Sequence, residues 1–327
     1  MFKKSIVFLL TAMLILTISL TGCSQKTNTQ TVDQPKKIDY PTKPIKFIVP
    51  WAPGGSSDAT ARTLAGIAEK YLGQPMIIVN RAGANGAVAT AEAKSWNADG
   101  YQILFNAVGP MTSVPYLQDV PYTIDDFKGV IGLSYEPILL AVNSNSPYKT
   151  FDDMKKAGVA IKYGSSGTGS LTQIAEAALF DKAGIKASSV PFAGAGPAVT
   201  ALLGGHIDCT TGHPGEFEQH IKSGALRYIG VFSPERYDLT ANVPTFKEQG
   251  QDLDFSVWKY VLVPKGTDPQ IVQILHDAFE KMMKDPQFIK YAETAKLKMD
   301  PISGDQVITK LKAEAITIGE TIKKLDL

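Results

Sequence analysis

Pro44-Ile45-Lys46-Phe47-Ile48-Val49-Pro50-Trp51-Ala52-Pro53-Gly54-Gly55-Ser56-Ser57-Asp58 is the stretch that decides the fold class. Ile45 to Val49 is short, β-branched and aromatic, and prolines bound it, so it reads as a strand. Trp51 to Asp58 is a turn of Pro, Gly and helix-capping residues. Beyond it Leu64, Ala65, Ile67, Ala68, Tyr71 and Leu72 recur at helical spacing, and Gly73 stops the helix. Outward from there, Met76 to Asn80 is a second strand and Gly83-Ala84-Asn85-Gly86 a second turn. An alanine-rich helix runs to about Ser95, and Asp99-Gly100 turns into a third strand, Tyr101 to Phe105. Strand–helix–strand–helix–strand predicts an α/β protein with a parallel sheet.

The middle of the chain repeats this grammar. Val130 to Val142 holds β-type segments split around Glu136-Pro137, and Phe151 to Ala157 is a short helix. The strand Ile161 to Tyr163 opens into Gly164-Ser165-Ser166-Gly167-Thr168-Gly169-Ser170. A helix follows, with Leu171, Ile174, Ala175, Ala178 and Leu179 on one face. Ser189 to Phe192 precedes Ala193-Gly194-Ala195-Gly196, and Pro197 stands where a helix starts. Tyr228 to Phe232 is another strand. Ile271, Ile274, Leu275, Ala278, Phe279 and Met282 form an amphipathic face, and Val307, Leu311 and Ile318 to Leu325 predict a closing helix.

The 327 residues suggest two domains. A composition of 44% hydrophobic and 20% charged residues is that of a globular protein. Lys+Arg is 33 against Asp+Glu 32, with the signs interspersed, which argues against a nucleic-acid binder. Two cysteines, Cys23 and Cys209, are too few for a disulfide framework. Residues 1–22 form a leader: Lys3 and Lys4 precede an apolar run of about 15 residues, shorter than a membrane span needs. The run ends in Leu20-Thr21-Gly22-Cys23, which looks like the lipobox of bacterial lipoproteins, with Cys23 acylated. Residues 23–39 are polar and read as a flexible tether that reaches at most ~50 Å. No later stretch is long and apolar enough to span a membrane. Such a protein works outside the cytoplasm, held to a membrane by lipid on Cys23.

Three loops share one design, a strand, a small-residue turn and a helix start: Ala52–Asp58, Gly164–Ser170 and Ala193–Pro197. Each leaves backbone N–H groups unpaired at a helix N-terminus, where the macrodipole is positive. Glycine admits a ligand to the backbone, and Ser or Thr adds hydroxyl donors, so each loop suits an anion. Plain helix capping explains any one of them; three together favour a shared anionic ligand. Catalytic signatures are missing: there is no GxSxG elbow, no Walker A motif and no complete GxGxxG. Of the four histidines, His213 and His220 lie near Cys209, but their spacing matches no zinc pattern. Asp58 is a helix-capping or dipole-stabilising residue before it is a general base. Trp51 either stacks on a ligand or packs in the core.

The chain resembles the extracytoplasmic receptors of the tripartite tricarboxylate transporters, also called Bug receptors. The matching residues are Tyr40 to Asp58 with Arg62, then Leu72-Gly73-Gln74-Pro75, Asn80 to Gly86, and Asp99-Gly100-Tyr101. Ser165 to Ser170, Val190 to Pro197 and Leu203 to Asp208 continue the match. Phe192-Ala193 stands where Tyr-Lys is common in that family. The resemblance implies a two-domain α/β fold of periplasmic-binding-protein type, type II-like, with the ligand cleft between domains. Residues 40–138 plus 262–327 would form domain 1 and residues 139–261 domain 2. It implies capture of a small carboxylate, delivery to the permease subunits of the transporter, a monomer, no chemistry, no cofactor and no metal. The ligand-binding set is Trp51, Pro53, Gly54, Gly55, Ser56, Asp58, Asn106, Ser165, Ser166, Gly167, Thr168, Gly169, Ser170, Ala193, Gly194 and Ala195. The alternative role is a ligand-sensing receptor of the same fold that feeds a membrane sensor kinase. An extracytoplasmic enzyme is disfavoured, because no nucleophile–base pair is visible.

Overall fold

The computed structural model describes residues 38–325 of the chain. The leader, Cys23 and nearly all of the tether lie outside the described residues. Strands β1 (Ile45–Val49), β2 (Met76–Asn80) and β3 (Gln102–Ala107) form the parallel unit that the opening stretch predicts, with β1 paired to both neighbours. The side chains of Ile45, Phe47 and Val49 are fully buried, as a central strand covered on its faces requires. Phe47 meets Phe105 edge to face and Phe279 at a tilt, with centroids 5.4 and 5.6 Å away. The Phe279 contact fastens the helix Pro269–Met283, from the last third of the chain, to the first sheet.

The first sheet is not purely parallel, which departs from the reading above. β4 (Phe127–Pro137) leads into β5 (Leu139–Asn143), which lies in a second sheet. That sheet continues with β6 (Ile161–Ser165), β7 (Ala187–Pro191), β8 (Cys209–Gly212) and β9 (Leu226–Val231). The chain then returns, and β10 (Ser256–Pro264) inserts antiparallel between β3 and β4. β11 (Lys298–Ser303) adds an antiparallel edge beside β4. The first sheet runs β11-β4-β10-β3-β1-β2 and the second β7-β6-β8-β5-β9. β6 pairs parallel with β7 and β8, whereas β5 is antiparallel to β8 and β9. Both sheets are therefore mixed.

The strands that sequence reading passed over are β8, β10 and β11. β10 is buried along almost its whole length, so it has no alternation for a period-two search to find. β8 is only four residues, Cys-Thr-Thr-Gly, too short to stand out. The return to the first sheet is complete by Ser256, so residues 256–261 belong with the first sheet and not with the second. The closing helix Gly304–Leu325 packs on β4 and on the short helix Val108–Thr112.

Candidate ligand-binding site

A cavity of about 70 Å³ lies where loops from the two sheets face each other. Its wall includes the first turns of four helices: Ser56–Leu72 from the first sheet, and Leu171–Lys182, Ala195–Leu203 and Pro214–Lys222 from the second. A wider recess of about 480 Å³ shares Trp51, Asn85 and Ser166 with it.

The first wall is built by the turn after β1. Asn80 Nδ2 donates to Trp51 O at 3.0 Å and to Asp58 Oδ1 at 2.9 Å. Asp58 Oδ2 accepts from Gly54 N at 3.1 Å and from Arg62 Nε at 2.9 Å. Burial alone would raise the Asp58 carboxyl, but the hydrogen bonds from Arg62, Asn80 and Gly54 hold it below its usual range. Asp58 therefore pins the turn, and Gly54 takes a left-handed φ of 96° within it. The helix Ser56–Leu72 begins at Gly55, which has no side chain to cap it; the first N–H, on Ser56, goes to Glu216 across the cleft, and Ser57 stands next to it on the cavity wall.

Ser56 is held from below by a buried ion pair. Lys259, on β10, donates to Ser56 Oγ and to Glu136 Oε1, and Ser56 Oγ donates to Glu136 Oε2 at 2.7 Å. The Lys259 and Glu136 side chains are 1% and 2% exposed. Burial works to raise Glu136; the Lys259 ammonium, His213 and the hydrogen bonds from Lys259 and Ser56 turn the shift downward. The pair neutralises itself beneath the wall and offers no free cation to the cavity.

The second wall uses hydroxyls as caps. Ser170 Oγ accepts from Gln173 N at 3.2 Å and lies 2.8 Å from Thr172 Oγ1, which is 2.9 Å from Ser166 Oγ. Gly167 and Gly169 take φ values of 140° and 74°, a backbone that only glycine adopts without strain. Gly169 is also a link between the sheets, because Ser113 Oγ donates to its carbonyl at 2.6 Å. The helix Ala195–Leu203 starts after Gly194 with no side-chain cap. It begins two residues before Pro197, where the sequence reading placed its start. The helix Pro214–Lys222 is capped by its own Glu216, whose Oε2 accepts from His213 N at 2.9 Å. Glu216 Oε1 reaches the other sheet and accepts from Ser56 N at 3.3 Å.

Of the expected residues, Trp51, Pro53, Gly55, Ser56, Ser166, Ser170, Gly194 and Ala195 line the cavity. Gly167, Thr168 and Ala193 line the adjoining recess. Asp58, Asn106, Ser165 and Gly169 are buried behind these walls, and Gly54 is exposed on its turn outside both the cavity and the recess. Asn106 is fully buried: its Nδ2 donates to Thr90 Oγ1 at 3.2 Å and its Oδ1 accepts from Ala107 N at 2.9 Å. Sequence reasoning missed Asn85, Gly109, Pro110, Thr172, His213, Glu216 and Val257, all of which line the cavity. Asn85 stood in a recognised turn, and Glu216, two residues after Pro214, was legible as the end of a capping box. Val257 was hidden with its strand. Among the described residues, no group of three or more His, Cys, Asp or Glu is placed to hold a metal ion.

The geometry suits an anion held by backbone N–H groups and hydroxyls without a lysine or arginine. Residues 60–327 match the family described as the tripartite tricarboxylate transporter family receptor. The chain is 32% identical to protein BugT of Bordetella pertussis over 245 residues, 72% of this chain and 75% of that protein. A solved periplasmic transporter superposes with a TM-score of 0.83 at 33% identity, covering 87% of this chain and 98% of its own. MatC of Rhodopseudomonas palustris, solved with bound malate, shares the fold with a TM-score of 0.82 at 22% identity, covering 86% of this chain and 100% of its own. Among the described residues, no helix is long and apolar enough to cross a membrane.

Proposed function

The chain belongs to the tripartite tricarboxylate transporter receptor family, and from that premise we propose that it captures a small carboxylate outside the cytoplasm and delivers it to membrane permease subunits. Family and fold are those of periplasmic solute-binding receptors. The observation that carries the carboxylate reading is the convergence of uncapped helix starts at Gly55 and Gly194 with the hydroxyl-rich start at Ser170 on one cavity. Each brings about half a positive charge, and each keeps first-turn N–H donors beyond the ones that Ser170 Oγ and Glu216 Oε1 accept. The cavity's size suits a molecule of a few carbon atoms.

In this reading the two sheets are the cores of two lobes that hinge at Ile138 and in the return segment before Ser256. The ligand carboxylate takes donors from both lobes, so its binding favours the closed form. The receptor acts as a monomer without a cofactor. Cys23 carries the lipid that keeps it at the membrane, and Cys23→Ala releases the protein from the detergent phase in a partition assay. Unchanged retention would remove the anchor from the proposal.

Calorimetric titration of the full chain with a panel of small mono-, di- and tricarboxylates, malate included, tests the receptor reading. Gly55→Leu is the control. Gly55 has an extended φ of −83°, so leucine fits its backbone. A Cβ there lies 3.9 Å from Glu216 Oε1, so the longer side chain enters the cavity. Saturable binding by the wild type, lost in Gly55→Leu with thermal stability kept, is the expected outcome. Full affinity in Gly55→Leu would place the site elsewhere.

A further inference from the structure

Glu216 is a carboxylate on the wall of a cavity read as a carboxylate site. Its placement is specific: one oxygen accepts from His213 N on its own helix, and the other accepts from Ser56 N across the cleft. We propose that Glu216 is the specificity-determining residue of the cleft and that it selects carboxylates bearing an ammonium group, the amino-acid class, over their deaminated counterparts. The proposal rests on the receptor reading above and deepens it.

The first argument is a count of charge. Four helix N-termini, Glu216's own among them, face the cavity, and at about half a charge each they supply roughly +2. Glu216 subtracts one unit. Among the described residues no lysine or arginine lines the cavity, and His213 is the only other titratable side chain on its wall. Lys259 is engaged by Glu136 and Ser56, and Arg62 by Asp58. The remaining field matches about one negative charge. A second or third ligand carboxylate would have to lie near Glu216 without a counter-cation.

The second argument is a count of hydrogen bonds. A carboxylate offers about four acceptor sites. Glu216 uses one on each oxygen, for His213 N and Ser56 N, so each oxygen retains acceptor capacity toward the cavity. A ligand that brings only acceptors leaves that capacity unmet in a site from which closure expels water. An ammonium supplies three donors and a positive charge. The ligand carboxylate then takes the first turn at Ser57 from one lobe and the helix starts at Leu171 and Ala195 from the other, and its amino group takes Glu216.

The test is calorimetric titration of the full chain with pairs that differ only by the amino group: L-alanine and propionate, L-aspartate and succinate, L-norvaline and pentanoate. The amino member of the pairs that bind should be tighter by roughly 10- to 100-fold in the wild type, the worth of a charged hydrogen bond. Glu216→Gln keeps an acceptor for the helix cap but removes the charge, and should shrink that ratio to about threefold or less. Glu216→Asp keeps the charge and should keep the preference. If deaminated members bind as tightly as amino members, and Glu216→Gln leaves the ratio unchanged, the inference is overturned while the receptor reading stands. If no pair and no panel carboxylate binds, both fall. Should Glu216→Gln fail to fold, the wild-type and Glu216→Asp ratios decide alone.

Discussion

Single acidic residues carry opposite burdens in this molecule, and their surroundings decide which. Asp58 is buried but donors surround it, so it stays in its charged form and pins a turn. Glu176, in the helix that starts at Leu171, is fully buried with neither carboxylate oxygen hydrogen-bonded. Burial pushes its carboxyl well above the usual range, against weaker opposition from Thr211. In the unfolded chain it would titrate near its ordinary value of 4.5. Above that pH the unfolded state releases a proton that the folded state keeps, so stability falls as pH rises until the folded carboxyl ionises. Glu176→Gln has the same shape and no such loss. Urea melts from pH 4 to 8 should therefore show the variant gaining on the wild type with rising pH, by at most about 1.4 kcal/mol per pH unit. Parallel curves would mean that Glu176 ionises as easily folded as unfolded. The sequence made the helix legible through Leu171, Ile174, Ala175, Ala178 and Leu179, but it did not reveal Glu176 as buried. Periodicity assigns faces by apolar residues, and one acid among them reads as solvent-facing.

Neighbouring strands carry the next level of organisation. Glu136 on β4 and Lys259 on β10 are brought together by the antiparallel pairing that sets Glu136 opposite Val257 and Ser134 opposite Lys259. Removing one partner leaves an unpaired buried charge, which costs about 3–5 kcal/mol. Glu136→Leu and Lys259→Met should each lose that much in chemical denaturation. The double variant Glu136→Leu/Lys259→Met should lose far less, because neither charge remains. Additive losses in this cycle would mean that the two groups do not act as a pair. Ser56 would also lose one of its two anchors in either single variant, which weakens the ligand wall. None of this was visible beforehand, because β10 is a long buried run without alternation and Lys259 reads as a stray charge in it. The three loops at Ala52, Gly164 and Ala193 were legible for the opposite reason. Helix starts are written in local chemistry, with Gly, Pro, Ser and Thr at fixed offsets, and need no distant partner to be recognised.

For the whole molecule, two halves follow from length and repeated grammar, whereas the return crossing came only through resemblance to a family. No local signal says that a strand at residue 256 will lie beside one at residue 102; that pairing is decided by burial across the finished sheet. The hinged reading predicts a smaller radius of gyration by small-angle scattering once a binding carboxylate saturates the cleft. An unchanged radius with binding confirmed would favour a site preformed between fixed walls. The strand order carries a further consequence, for the order of synthesis. The second sheet is drawn wholly from residues 139–231 and can close as soon as they have emerged. The first sheet cannot, since its third position belongs to β10, the tenth of eleven strands in sequence. Until residue 264 is made, β3 and β4 each present an open edge with no partner between them. The nascent chain therefore passes through a stage in which the sheet from its middle is finished while the sheet begun by its earliest strands is still waiting, with β3 exposed to any strand that reaches it first.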